Sequence, residues 1–204
     1  MNIIGLIGTT IYGILQKHEV ENVLESAVID TTTTTQMIVV VMLAPIFEEY
    51  IFRKLFIDRA VKYGEGIAIF LSGMIFALFH GNFGQAIYAF GVGALLSYIY
   101  VRTGYIGYTI VIHMMMNFLG TVVPLFITGT ENIALITIYG LLIIITVLSG
   151  IVLYIVYLVK HKFYTKPVSL VPNGQRVFGS SIINIGMIIY ILVFMAMIIY
   201  QLTF

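Results

Sequence analysis

The sequence predicts an all-α, polytopic integral membrane helix bundle of about six or seven transmembrane helices, with a site buried in the bilayer. Three observations carry this. Sixty per cent of the 204 residues are hydrophobic and only 9% are charged, against roughly 25% charged in a soluble domain. Apolar runs follow one another along the chain without the two-residue alternation of a barrel, and a bilayer admits only helices or closed barrels. The polar clusters that interrupt these runs are chemically matched: Glu48-Glu49-Tyr50-Ile51-Phe52-Arg53, Phe76-Ala77-Leu78-Phe79-His80 and His113-Met114-Met115-Met116-Asn117. An ionisable side chain at membrane depth costs at least ~2.5–3.5 kcal/mol on insertion scales, so it is a functional candidate by default.

The apolar segments are 2–16, 35–58, 66–81, 85–101, 106–127, 132–159 and 178–203. The first is short for a span of about 20 residues, and it lacks the basic lead and small-residue cleavage site of a signal peptide. The connection 17–34 is acidic (Glu19, Glu21, Glu25, Asp30) and ends in the threonines Thr31 to Thr35, residues that cap helix starts. The second segment carries the first cluster. Its Pro45 cannot donate to the Val41 carbonyl, which predicts a kink. The third and fourth carry small residues every four positions, Gly73, Ala77 and Gly81, then Ala89, Gly93 and Ser97. Such stripes let helix backbones approach. The fifth carries the third cluster, whose methionines read as gap-filling apolar residues. The last two segments are uninterrupted, and the loop 160–177 between them is basic and turn-rich, with Lys160, Lys162, Lys166, Pro167, Pro172, Gly174 and Arg176. The chain reads as one domain, 1–204, with a motif core at about 44–120.

Net charge is +1 and cysteine is absent. The first gives no reason to expect nucleic acid as a partner; membrane lipids are expected instead. The second excludes a thiol nucleophile, a thiolate metal site and a disulfide. Arg59, Lys62, Arg102, Lys160, Lys162, Lys166 and Arg176 gather on alternate turns, which predicts a cytoplasmic amino terminus. With the cytoplasmic boundary near residues 60, 66 and 106, a rise of ~1.5 Å per residue puts Glu48 roughly 18 Å in, His80 about 21 Å, His113 about 10 Å and Asn117 about 16 Å. These four belong to one slab near the bilayer middle.

The chemistry of the clusters points to water activation. Glu49 and Arg53 are four apart and pair along one helix face. Glu48 points about 100° away and stays unpaired, which suits a general base. His80 shares a face with Phe76, and His113 with Asn117, whose amide donates to an oxyanion without bringing charge. Glu48, His80 and His113 also make a three-ligand set for a divalent metal such as zinc with one position open. The residues leave metal and metal-free versions open; the lack of a His pair at i,i+4 spacing tips the expectation towards the metal-free one. A zinc-helix motif and a G-x-S-G elbow are both missing.

The order and spacing of E-E-x-x-x-R, F-x-x-x-H and H-x-x-x-N resemble the CAAX-protease and bacteriocin-processing family of intramembrane proteases (the CPBP or Abi proteins), in the branch of the Ras-converting enzyme. The resemblance covers about residues 44 to 120. It implies that Glu48 and His80 hold and activate the attacking water, that His113 and Asn117 stabilise the tetrahedral oxyanion, and that Glu49 and Arg53 support the site. Members are labelled metalloproteases, while a metal-free glutamate mechanism is also proposed for the family. Family members usually carry more hydrophobic sequence ahead of the first motif than the 2–16 segment here. The expected activity is an intramembrane endopeptidase in a bacterial cell membrane, acting on a hydrophobic, lipidated or membrane-associated peptide, in peptide-signal maturation or bacteriocin self-immunity. The competing expectation is a non-catalytic immunity or scaffold protein, or a small proton-coupled transporter; transporters more often show repeats in matching halves, and no internal repeat stands out.

Overall fold

The computed structural model of the chain describes residues 35, 37–81, 83–160, 179 and 183–203. Six helices and no strands occur among them. Helix α1 is continuous in four stretches: wide π turns over Met37–Leu43, α-helix over Ala44–Glu49, π turns again over Tyr50–Ile57, and α-helix over Asp58–Ala60. Then come α2 (Glu65–Phe79) and α3 (Phe83–Thr103). Helix α4 begins as Ile106–Asn117 and runs on through π turns at Phe118–Val122 to Val123–Thr128. Helices α5 (Ile133–Lys160) and α6 (Ile185–Thr203) complete the order. The apolar segments expected from residue 35 onward each correspond to a helix, with ends shifted by a few residues. The 2–16 segment, the 17–34 connection and the 160–177 loop beyond Lys160 lie outside the described residues, as do most of the positions that bear on the amino terminus and its side.

Three stretches are long and apolar enough to cross a membrane, Gly84–Thr103, Ile106–Thr128 and Ile133–Gly150, and Glu65–Phe79 and Ile185–Tyr200 are shorter apolar helices. Burial follows the same logic. Glu49, Arg53, Ser72, Ser97, Thr109 and His113 are inside, while Phe47, Leu95, Phe126, Ile145, Leu153 and Leu192 are outside. A bundle that buries Glu49 and Arg53 while exposing large apolar side chains is matched to hydrocarbon rather than water. The protein is an all-α membrane helix bundle.

Helices α1 to α4 form the packed centre; α5 meets the end of α4, and α6 lies along α2. A 3-10 turn over Val61–Tyr63 and the single residue Gly64 reverse the chain from α1 into α2. Gly64 has φ +128°, a conformation strained for any side chain. The tightest contact is between α2 and α3, where the expected small-residue stripes meet. A Cβ on Gly93 would lie 2.9 Å from Phe76 Cδ1 and 3.1 Å from the Gly73 Cα. Ala77, Ala89 and Ser97 are buried along the same seam. At one end of the bundle Arg102 pairs with Glu65, and Tyr100 donates to Asp58 at 2.8 Å.

At Pro45, where the sequence predicts a kink, the turns of α1 change register. Proline stands at the start of the α-helical stretch, where the π turns of α1 stop. It removes the donor to Val41 in the α register and to Val40 in the π register. The Val40 carbonyl is taken up by the Asn117 side chain of α4, whose Nδ2 donates to it at 2.9 Å.

The α2–α3 seam generates a stability prediction. Gly93→Ala pushes against Phe76 and Gly73 backbone, and should lower the thermal midpoint in detergent by the equivalent of ~1–3 kcal/mol. Gly140→Ala on α5 meets nothing within 4 Å and should leave the midpoint unchanged or raise it. Equal midpoints for the two variants would mean that the close approach is not what holds α2 to α3.

Candidate active site

Helix α1 brings two adjacent carboxylates into the bundle on different faces. Glu49 is fully buried; Glu48 keeps a fifth of its side chain exposed (20%). One turn on, Arg53 is also fully buried and forks onto Glu49, with Nη2 donating to Oε1 at 3.1 Å and Nε 3.0 Å from Oε2. The Nε–Oε2 contact is close but poorly aligned, so it counts as ionic attraction rather than a hydrogen bond. This is the i,i+4 pair that the spacing predicts.

The pair has a third member that the spacing does not reveal. His113, on α4 and 64 residues away, places Nδ1 2.9 Å from Glu49 Oε1. A carboxylate held by an arginine is an acceptor, so Nδ1 carries the proton and donates. That fixes the tautomer and leaves Nε2 free to accept or relay a proton. Nε2 in turn faces Glu48 Oε2 at 3.7 Å. One imidazole thus stands between both carboxylates of the Glu-Glu pair, held by one and facing the other.

His80 reaches the site from α2. The helix ends there because Gly81 adopts φ +60°, a left-handed stop that glycine takes without penalty. The His80 Nδ1 lies 2.8 Å from the Phe76 carbonyl. A carbonyl only accepts, so this bond too fixes the proton on Nδ1 and leaves Nε2 bare. The Phe76 ring sits between the two histidines, 4.8 Å from the His80 ring and 5.7 Å from that of His113, and beneath the Arg53 guanidinium at 4.9 Å. Phe76 is therefore the packing centre of the site, a role beyond sharing a helix face with His80.

Asn117 lies one turn beyond His113 and is half-buried. One of its amide hydrogens is committed to the Val40 carbonyl, and a primary amide has a second to give. Glu48, Glu49, Arg53 and His113 are brought together directly, His80 joins them through Phe76, and Asn117 ties α4 to α1 beside them.

The donor set shares one feature with metal sites. Each imidazole has its Nδ1–H held by an oxygen, the arrangement that orients a ligand histidine. Yet among the described residues no three histidine or carboxylate side chains are grouped so as to hold an ion.

The contribution missed by sequence reasoning is Ser72. It is fully buried, and its hydroxyl donates to the Phe52 carbonyl at 3.0 Å while accepting from Arg53 Nη1 at 3.1 Å. The signal was present: Ser72, Phe76 and His80 recur every four residues on one face of α2.

The shared Glu49 carboxylate yields a prediction. Arg53→Ala leaves Glu49 buried without its cation, which should cost about 3–5 kcal/mol and sharply reduce folded, monodisperse protein. An Arg53→Ala protein with wild-type thermal stability but no activity would move Arg53 from support into the reaction itself.

Comparison with known proteins locates the same region. Residues 30–119 match the family model described as type II CAAX prenyl endopeptidase Rce1-like. The membrane-embedded CAAX protease MroQ of Staphylococcus aureus (strain USA300) is 35% identical over 83 residues, a stretch that takes in 37% of this chain and 34% of that protein. The chain therefore aligns with about a third of its relative's length. No solved structure matches. The motif core, with Glu48-Glu49, Arg53, His80, His113 and Asn117 in order, lies within residues 30–119, and over that stretch the chain is similar to the type II CAAX prenyl endopeptidases.

Proposed function

We propose that this protein is an intramembrane endopeptidase that cleaves a peptide bond with water activated by Glu48 and His80. The observation that carries this is the His113 imidazole set between Glu49 at 2.9 Å and Glu48 at 3.7 Å. Glu48 and an imidazole with a bare Nε2 are the two acceptors that a nucleophilic water needs. The water oxygen attacks the scissile carbonyl carbon, and its proton passes to Glu48. The oxyanion takes a hydrogen bond from the free amide hydrogen of Asn117. It takes a second from His113 Nε2 when Glu48 passes the water's proton on to that nitrogen, which faces it at 3.7 Å. The C–N bond then breaks, and the proton leaves on the amine. Glu49 and Arg53 do not touch substrate; they hold His113.

The substrate class follows from the surroundings. The site lies among membrane-spanning helices, so the peptide is hydrophobic, lipidated or otherwise bound to the membrane. The similarity to prenyl endopeptidases supports a lipidated peptide. Peptide-signal maturation and self-immunity to bacteriocins are the roles that the family resemblance suggests. We place the protein in a bacterial cell membrane with its amino terminus cytoplasmic.

The test uses purified protein in nanodiscs with internally quenched apolar peptides, with and without a prenylated cysteine. Glu48→Gln preserves shape and removes the base, so turnover should vanish while peptide binding persists. His80→Ala should be as severe. Asn117→Ala should keep residual activity, since one lost oxyanion donor costs roughly 10²–10³ in rate. Wild-type cleavage by Glu48→Gln would overturn the mechanism. A strong chelator should leave the wild type active; loss on chelation, restored by stoichiometric zinc, would replace the metal-free version with a metal one.

A further inference from the structure

Ser72 holds a place in the polar network that packing alone does not require. A serine inside a helix ordinarily satisfies its hydroxyl on its own i−4 carbonyl. Ser97 of α3 follows that habit, with Oγ 2.6 Å from the Gly93 carbonyl. Ser72 does not. Its hydroxyl crosses to α1 and donates to the Phe52 carbonyl at 3.0 Å. With its single proton committed there, its oxygen can only accept, and it receives Arg53 Nη1 at 3.1 Å. Ser97 Oγ lies 2.9 Å behind it. Ser72, Ser97, Arg53 and Glu49 are all fully buried.

The consequence runs along the network. Arg53 has one face on Phe76 and its fork on Glu49. The Nη1 bond to Ser72 prevents the guanidinium from rotating off that fork. Glu49 Oε1 accepts from Arg53 Nη2 and from His113 Nδ1, so the setting of Arg53 fixes the oxygen to which the imidazole is tied. We infer that Ser72 is a positioning residue for His113, acting through Arg53 and Glu49 without touching substrate. This rests on the hydrolytic reading given above.

The experiment compares wild type, Glu48→Gln, Ser72→Ala and Ser72→Thr in nanodiscs with the same quenched peptides, with kcat, KM and thermal midpoint measured for each. Ser72→Ala should lose kcat by roughly tenfold or more, the usual scale for a partner behind an active group, with KM unchanged. Ser72→Thr keeps the hydroxyl and should recover much of that loss. A merely structural serine would lower the midpoint without splitting kcat from KM. If Ser72→Ala does not fold, Ser72→Cys keeps the volume with a much weaker donor and acceptor, and the same loss is expected. Wild-type kcat in a folded Ser72→Ala or Ser72→Cys protein, or a loss confined to KM, overturns the proposal. So does failure of both to fold, which makes Ser72 structural. Equal turnover by wild type and Glu48→Gln is a different result: it removes the hydrolytic reading, and the positioning role with it.

Discussion

The Glu49 carboxylate is the point on which the centre of this protein depends. It is fully buried, it receives the Arg53 fork from its own helix, and it receives the His113 imidazole from α4. A lone carboxylate in such a place would be held at a penalty of several kcal/mol. Here the same contacts that offset the burial also join α1 to α4 and fix which nitrogen of His113 carries a proton. Structural satisfaction and chemical orientation are one arrangement.

The remaining polar groups are accommodated in the same way. In hydrocarbon every backbone carbonyl without an internal donor is costly. Pro45 withholds such a donor near Val40, and Asn117 supplies it from the neighbouring helix. Ser72 adds a bond from α2 to the Phe52 carbonyl, and Tyr190 of α6 adds one to that of Ile75, at 2.8 Å. The bundle is therefore stitched by side chains answering backbone oxygens, while the apolar exterior faces lipid. Close approach at Gly73 and Gly93 keeps α2 and α3 near enough for Phe76 to serve three partners at once.

How much of this was legible in the sequence follows from what periodicity encodes. Hydropathy located the helices from residue 35 onward, since apolar length is a local property. Four-residue spacing gave the Glu49–Arg53 pair and the two small-residue stripes, which are properties of one helix face. It could not give the Glu49–His113 bond, because spacing says which face a side chain occupies and not which helix that face meets. Nor could it give the wide turns of α1: a proline predicts a disturbed register, but not that the Val40 carbonyl is met by Asn117 from another helix. Ser72 was legible as a position on the Phe76–His80 face, yet its role required knowing that the hydroxyl bonds across helices rather than back along its own.

Glu49 fixes the tautomer of His113, and nitrogen-15 NMR of the labelled imidazoles tests this most directly. In the wild-type protein His113 should show a protonated Nδ1, with its proton shifted downfield by a strong bond to a carboxylate and with Nε2 bare. Glu49→Gln should weaken that signal and let the other tautomer appear. A His113 protonated at Nε2 in the wild type, and indifferent to Glu49→Gln, would contradict the account.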